Sequence, residues 1–341
     1  MIQNNVLNNT TILITGATGF IGGLLVNEFI SMNIFNNARI KLILPIRNLQ
    51  KAREKYPIQD EKYKCISFIE TSLDGYQIHQ IDMPIDYIFH CASVTTSSIM
   101  ISNPIEVADG IVLGTKNLLE LARQKKVKSM VYLSSMEVYG IINSYGQLVT
   151  EDMLGDMDIF SARSCYPLGK RMAEHYCYIY SKQYGVPVKI ARLAQTFGYG
   201  ISKDDNRIFA QFARSVINNE NIVLHTEGLS MGNYCESKDA IRGLLIILDK
   251  GKDGEAYNIV NEENTMQIRD MAKLVTEKIS KGKIKVLYNI SDKHDYGYAK
   301  DTYLKLSSAK LRSLGWKPTK SLEEMYLDLI HWWGDGRSGS I

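Results

Sequence analysis

The chain has 341 residues, 45% hydrophobic and 23% charged, with 40 Lys and Arg against 37 Asp and Glu and a net charge of +3. That composition suits a globular chain with a sizeable core, as one large domain or two interleaved lobes. The near balance of charge argues against a nucleic-acid partner, since the longest basic block, Lys125-Lys126-Val127-Lys128, falls at an expected helix end where cations complement the dipole. Cysteines 65, 91, 165, 177 and 235 make an odd set without a CxxC pair, so neither a disulfide framework nor a metal site is expected, and a cytoplasmic setting fits. The start of the chain lacks a basic and apolar leader, and no segment has membrane-spanning length, so no membrane partner is expected.

In chain order, residues 11–15 read as a short strand that runs into Gly16-Ala17-Thr18-Gly19-Phe20-Ile21-Gly22, and residues 20–32 carry a helical apolar pattern. Strand, GxxGxxG turn and helix in this order point to dinucleotide binding. Gly16 makes the tight turn, Gly19 lets a pyrophosphate approach the backbone, and Gly22 packs helix on strand, with Thr18, Phe20 and Ile21 at the helix N-terminus. A second apolar run at 40–44 ends in Pro45-Ile46-Arg47-Asn48, with no acid for a ribose 2′-hydroxyl. Arg47, with Lys51 or Arg53 near it, suits a 2′-phosphate and favours NADP over NAD, the alternative being a solvated loop arginine.

Further apolar runs at 65–69, 87–91, 130–133 and 188–193 alternate with helical stretches such as 114–126. Such alternation predicts an α/β, Rossmann-type doubly wound parallel sheet. After residue 195 it loosens through Gly198-Tyr199-Gly200, a helical stretch at 206–219 and a turn at Glu227-Gly228. The expected division is a dinucleotide-binding domain over 1–190 and a smaller substrate-binding lobe over 191–341, interleaved with returns to the first.

Tyr166 and Lys170 in Cys165-Tyr166-Pro167-Leu168-Gly169-Lys170 lie four apart, so on a helix they share a face and the ammonium favours the phenolate. Bringing a phenol from its usual pKa of about 10 to near neutrality takes roughly 4 kcal/mol, which a close cation and a positive cofactor ring would supply.

These motifs resemble the extended short-chain dehydrogenase/reductase family, in its NAD-dependent epimerase/dehydratase branch that acts on nucleotide-activated sugars. The resemblance spans nearly the whole chain: Gly16 to Gly22, Asp86-Tyr87-Ile88-Phe89-His90-Cys91-Ala92-Ser93, Gly114-Thr115-Lys116-Asn117, Leu133-Ser134-Ser135-Met136-Glu137-Val138-Tyr139-Gly140, Tyr166 to Lys170, and Leu314-Gly315-Trp316-Lys317-Pro318. It implies NAD or NADP as cofactor, a nucleotide-diphosphate sugar as substrate, and a homodimer built on helices near 110–126 and 166–184. Tyr176, Ile179 and Tyr180 lie at that interface or in the core. By the same resemblance Ser135 bonds the reacting sugar oxygen, with Ser134 as the other candidate hydroxyl. Tyr166 takes the proton, and Lys170 tunes the tyrosine and holds the nicotinamide ribose. The segment with Ala92 lines the cofactor, and His90 there is structural. Cys165 faces the substrate or packs.

The implied reaction is transient oxidation of a sugar hydroxyl, at C4, followed by epimerisation, dehydration or decarboxylation. Glu137 is the candidate second base. Single reduction of a ketosugar with NADPH and a silent dinucleotide-binding regulator are the rival readings. The chain departs from the family pattern at several points: Met136 stands in place of an aspartate acid, Ile111 in place of an asparagine, and Gln195 in place of an asparagine after Arg192. Gly232 or Met231 stands where an arginine binds the diphosphate. Gln195 and Arg207 are expected to meet the substrate, with Lys203 and Arg242 as further candidates for the missing cation.

Overall fold

The computed structural model describes residues 6–142, 146–290 and 302–334. Residues 1–5, read above for a leader, lie outside these. Along the chain the strands are β1 (Thr11–Thr15), β2 (Lys41–Ile46), β3 (Ile66–Glu70), β4 (Tyr87–His90), β5 (Ser129–Ser135), β6 (Val188–Leu193), β7 (Gln195–Phe197), β8 (Ile222–Leu224), β9 (Met231–Glu236), β10 (Ala256–Ile259), β11 (Asn261–Gln267) and β12 (Val286–Tyr288). The helices are α1 (Phe20–Asn36), α2 (Leu49–Lys55), α3 (Ser97–Ser102), α4 (Pro104–Lys125), α5 (Cys165–Tyr184), α6 (Ile208–Asn218), α7 (Ser237–Lys250), α8 (Ile268–Leu274), α9 (Ala309–Ser313) and α10 (Leu322–Gly334).

A seven-stranded parallel sheet, in the order β10-β6-β5-β4-β1-β2-β3, organises the first part of the molecule. β1 is buried along its whole length because both faces are covered. Ile12 and Ile14 point into the core under α1 and α7, and Leu13 points into the core under α4 and α5, the period-2 alternation of a strand. β2 runs two residues past the expected Leu44 in spite of Pro45. Its pairing with β1 ends at Ile43 and only β3 accompanies it further, so the missing proline N–H disturbs no bond to β1. α4 begins at Pro104, about ten residues before the periodicity read from sequence, and proline suits a first helical turn.

The strand order reverses between β1 and β4, which opens a crevice at their carboxyl ends. Gly16 has φ +67°, and a Cβ there would lie 2.8 Å from the Ala92 nitrogen, so only glycine lets the two loops meet so closely. A Cβ on Gly22 would run into the Gly16 carbonyl oxygen.

After β6 the chain builds a three-stranded sheet (β11-β9-β7) and a parallel pair (β12-β8). With α6, α8 and α10 these enclose a separate apolar cluster containing Phe197, Phe209, Tyr234, Tyr326 and Trp333. The expected division at 190 falls inside β6, which pairs with β5 over Val188–Leu193. The chain returns to the first sheet through α7, β10 and Trp316, whose indole N–H donates to the Asp239 carbonyl of α7 at 2.9 Å.

α5 is fastened to the sheet by a buried ion pair. Arg192 of β6 donates to Glu174 at 2.9 Å (Nε to Oε1) and 2.7 Å (Nη2 to Oε2), and its Nη1 donates to the Tyr139 hydroxyl at 3.1 Å and the Glu151 carbonyl at 2.8 Å. Tyr139 in turn donates to Asn258 of β10 at 2.7 Å. On the outer side of this layer, Tyr180 is buried and Tyr176 and Ile179 pack against the same core. The exposed apolar side chains of α4 and α5 are Ile105, Leu113, Met172, Tyr178 and Tyr184.

Breaking a buried pair strands one charge. Glu174→Ala is expected to lower the unfolding free energy in denaturant by about 3–5 kcal/mol, whereas a Glu174→Leu, Arg192→Met double variant loses much less. Equal losses in the two would contradict this account.

Candidate active site

β5 ends at Ser135, which caps the short turn Met136–Tyr139; its hydroxyl accepts the Glu137 N–H at 3.2 Å. Across the crevice, α5 begins at Cys165 with no side-chain cap and no acid in its first turn. The expected i, i+4 pair sits in that first stretch, with Tyr166 and Lys170 5% and 3% exposed. Ser135 lies near enough to Tyr166 to lower the pKa of its phenol. The neighbouring Ser134 is buried with its hydroxyl unpartnered, consistent with alternate strand residues facing opposite ways.

Lys170 Nζ donates to the Leu133 carbonyl at 2.7 Å and lies 4.8 Å above the Tyr132 ring, but 5.7 Å from the centroid of Tyr166. Burial lowers its pKa to about 8, against the opposing pull of Glu174 and then Cys91. This changes the electrostatics expected from sequence. The Tyr166 phenol is pushed up to about 12, first by burial and then by the Glu137 charge; Ser135, Arg163 and Arg207 pull it back only in part. The lysine ammonium is bonded to a backbone oxygen, and the named cations that lower the phenol's pKa are Arg163 and Arg207.

Arg163 was absent from the sequence reading. It stands on the turn Ala162–Ser164 just before α5, and its Nη2 donates to both Glu137 oxygens at 3.0 and 2.8 Å. Its guanidinium lies 5.9 Å from the Tyr166 ring centroid. A cation three residues before the tyrosine, on the same helical side, was the available signal.

The glycine turn fits a dinucleotide. No side chain caps α1 at Gly19 and its first turn holds no acid, so the N–H groups of Phe20 and Ile21 and the positive helix end face the crevice, as anion binding requires. Thr18 lies in the turn, Ala92 closes on Gly16, and Arg47 is exposed directly after β2. The Ser93 hydroxyl beside Ala92 is buried and unpartnered.

His90 is held between the hydroxyls of Thr15 and Thr115 at 2.8 and 3.1 Å, and burial lowers its pKa to about 3. Such a neutral, doubly bonded imidazole is structural. Cys165 donates to the Met100 carbonyl at 3.4 Å, and burial raises its pKa. Met136 packs against the cluster of Val138, Tyr139 and Val149. Ile111 meets Gly169 at the seam of α4 and α5.

On the second lobe's side, Gln195 opens β7 with its Oε1 buried and unpartnered. Arg207 precedes α6, is held by Asp205 at 2.7 Å, and its charge reaches Tyr166. Arg242 is instead engaged by Asp239, the Lys317 carbonyl and Thr319. At Gly232 a Cβ would strike the Tyr234 hydroxyl, so the tyrosine two residues along the same strand face occupies the space a side chain would need.

Comparison with known proteins gives a consistent picture. The family described as NAD dependent epimerase/dehydratase matches residues 12–260. UDP-glucuronic acid decarboxylase 6 of Arabidopsis thaliana is 28% identical over 325 residues, 93% of this chain and 87% of the relative. Human dTDP-D-glucose 4,6-dehydratase is 26% identical over 332 residues, 94% and 89% of the two chains. Among solved structures, the fold is shared with UDP-glucose 4-epimerase of Thermotoga maritima in complex with UDP-glucose (TM-score 0.78, 22% identity, 96% of this chain and 99% of that one). It is shared also with UDP-glucuronic acid 4-epimerase of Bacillus cereus in complex with UDP-glucuronic acid and NAD (TM-score 0.76, 21% identity, 95% and 99%).

A lysine that falls from the ordinary 10.5 to about 8 on folding carries a cost of roughly 3 kcal/mol that is fully present below pH 8. Between about pH 8 and 10.5 the unfolded chain holds the extra proton, so this group makes stability rise with pH. Unfolding free energies measured across that window should climb more steeply for the wild type than for Lys170→Met; parallel curves would refute the assignment.

Proposed function

Because this chain belongs to the NAD dependent epimerase/dehydratase family, we propose that it oxidises the C4 hydroxyl of a nucleotide-diphosphate sugar with Tyr166, Ser135 and Lys170 and then completes the change at C5 before C4 is reduced again. The observation that carries the reading is the placement of Ser135 at the end of β5, the buried Tyr166 at the start of α5, and Lys170 on the same helix, anchored by its ammonium to the Leu133 carbonyl of β5. Gly16, Thr18, Gly19, Phe20, Ile21 and Gly22, with Ala92 and Lys170, would hold a nicotinamide dinucleotide, and Arg47 favours its 2′-phosphorylated form. When bound, that group supplies the acceptor and later the donor of the C4 hydride.

The chain's own residues account for the protons. Ser135 bonds the sugar oxygen and Tyr166 takes the hydroxyl proton. With a phenol at about 12, holding Tyr166 ionised at pH 7 would cost roughly 7 kcal/mol, so the chain alone keeps it protonated and the positive charge of the occupied site makes it a base. Glu137 is suited to the C5 proton, since a C4 ketone acidifies that carbon, and Arg163 holds both its oxygens.

Within the family's reactions, loss of the carboxylate from a uronate is favoured. A C4 ketone makes that carboxylate a β-keto acid: the C5–C6 bond breaks, CO2 leaves, and the electron pair left at C5 takes a proton from water, with no C5 proton for Glu137 to remove in this branch. No acid is then needed where Met136 packs into an apolar cluster. Gln195 and Arg207 are the substrate-side groups, and the charge of Arg207 reaches Tyr166. A net reductase is the second reading, supported by Arg47.

Incubation with UDP-glucuronate is expected to give a UDP-pentose and CO2 by mass spectrometry, and Tyr166→Phe to lose about 10²–10⁴-fold in turnover. Unchanged turnover in that variant would rule out the mechanism. Nucleotide released on denaturation separates the readings, because retained oxidised cofactor fits the internal cycle and an empty site fits a reductase. A second copy of the chain is the expected partner of the α4/α5 face. Light scattering should give a dimer that Leu113→Glu with Met172→Glu dissociates; a monomeric wild type would exclude it.

A further inference from the structure

The charges that decide whether Tyr166 can act as a base come from several elements. Glu137 lies on the turn after β5, Arg163 on the turn before α5, Lys170 on α5 itself and Arg207 on the approach to α6. Tyr132 of β5 and Cys165 also titrate beside them, and burial raises both, so they add no charge at neutral pH.

Arg163 stands apart in how its charge is used. Its Nη2 donates to both Glu137 oxygens, at 3.0 and 2.8 Å, and its guanidinium lies 5.9 Å from the centroid of the Tyr166 ring. The two side chains of the pair are 32% and 39% exposed, and an ion pair so open to solvent contributes little to stability. What it does is place charge. One nitrogen takes both carboxylate oxygens, and the backbone beneath Glu137 is held as well, because Arg171 of α5 donates to the carbonyls of Val138 and Gly155, each at 2.7 Å. Among the charges around the phenol, Glu137 is the one that most opposes its ionisation. Arg163 therefore meets the opposing charge and the ring at once.

The other cations are less able to do this. Burial takes Lys170 to about 8, so its ammonium loses its proton before a phenol at about 12 does, whereas a guanidinium stays charged throughout. Arg207 is bound to Asp205 at 2.7 Å. We propose that Arg163 is a positioning residue for the reaction: it holds the Glu137 carboxylate in one place, offsets its charge, and so governs how readily Tyr166 exchanges its proton. The proposal rests on the reading of Tyr166 as the base. It also gives Glu137 a part in a decarboxylation, where no C5 proton has to be removed.

The test follows the Tyr166 ring by NMR in the full chain isotope-labelled at the tyrosine Cζ and saturated with NAD+, whose positive ring lowers the phenol into a workable range. Its signal is the one missing from Tyr166→Phe. Arg163→Met is expected to raise the midpoint by about 0.5–1 pH unit, and Glu137→Gln to lower it by about the same amount or more. Arg163→Lys should stay within about 0.3 unit of the wild type, since it keeps the charge. The double variant Arg163→Met, Glu137→Gln should titrate close to the wild type and slightly below it, because the carboxylate acts on the phenol more strongly than the guanidinium. High salt should shrink each difference. Coincident midpoints in all variants overturn the proposal and leave Tyr166 as the base. Shifts of the same sign in Arg163→Met and Glu137→Gln overturn it too, since the pair would then act only as a clasp between the two turns. A wild-type midpoint that does not move when NAD+ is added removes the base reading and this proposal together.

Discussion

The site depends on the bond between the Lys170 ammonium and the Leu133 carbonyl. A buried cation needs an oxygen, and the one within reach is a backbone oxygen two residues before Ser135 on β5. That bond fixes the start of α5 against the end of β5, and so fixes the distance at which Tyr166 and Ser135 meet. The Glu174–Arg192 pair one turn further along α5 does the same against β6. Side chains from three elements are thus registered by charge rather than by apolar packing, which tolerates sliding better than a hydrogen bond does.

The same economy of charge sets the chemistry. Lys170 spends one N–H on the Leu133 carbonyl and stands 5.7 Å from the centroid of the Tyr166 ring, and burial holds the Tyr166 phenol well above its ordinary pKa. Arg163 neutralises Glu137, the carboxylate that would otherwise push the phenol higher still.

The second lobe is built differently. Its sheet and helices close around stacked aromatics, with Phe197 and Phe209 4.5 Å apart. Tyr234 belongs to this cluster, and its hydroxyl fills the space above Gly232. Packing of the lobe therefore excludes a long cation from that strand face, and Arg207, carried on the turn before α6, brings positive charge toward the tyrosine from another direction.

The sequence by itself determined what rests on local rules. The short apolar runs alternating with helical stretches and the GxxGxxG turn specify a parallel sheet with a crevice at the end of β1, because strand and helix patterns and a φ that favours glycine are properties of short stretches. Spacing alone put Tyr166 and Lys170 on one helix face. What only the tertiary structure decided is where charges end up, since burial and pairing depend on residues far apart in the chain. Nothing near Lys170 in sequence announces Leu133 as its partner, and nothing near Glu137 announces Arg163. Nor does a glycine at 232 reveal that a tyrosine two residues away fills its place. The fold was legible because it follows from local pattern; the electrostatics of the site were not, because a pKa is set by the low-dielectric surroundings that only the folded chain creates.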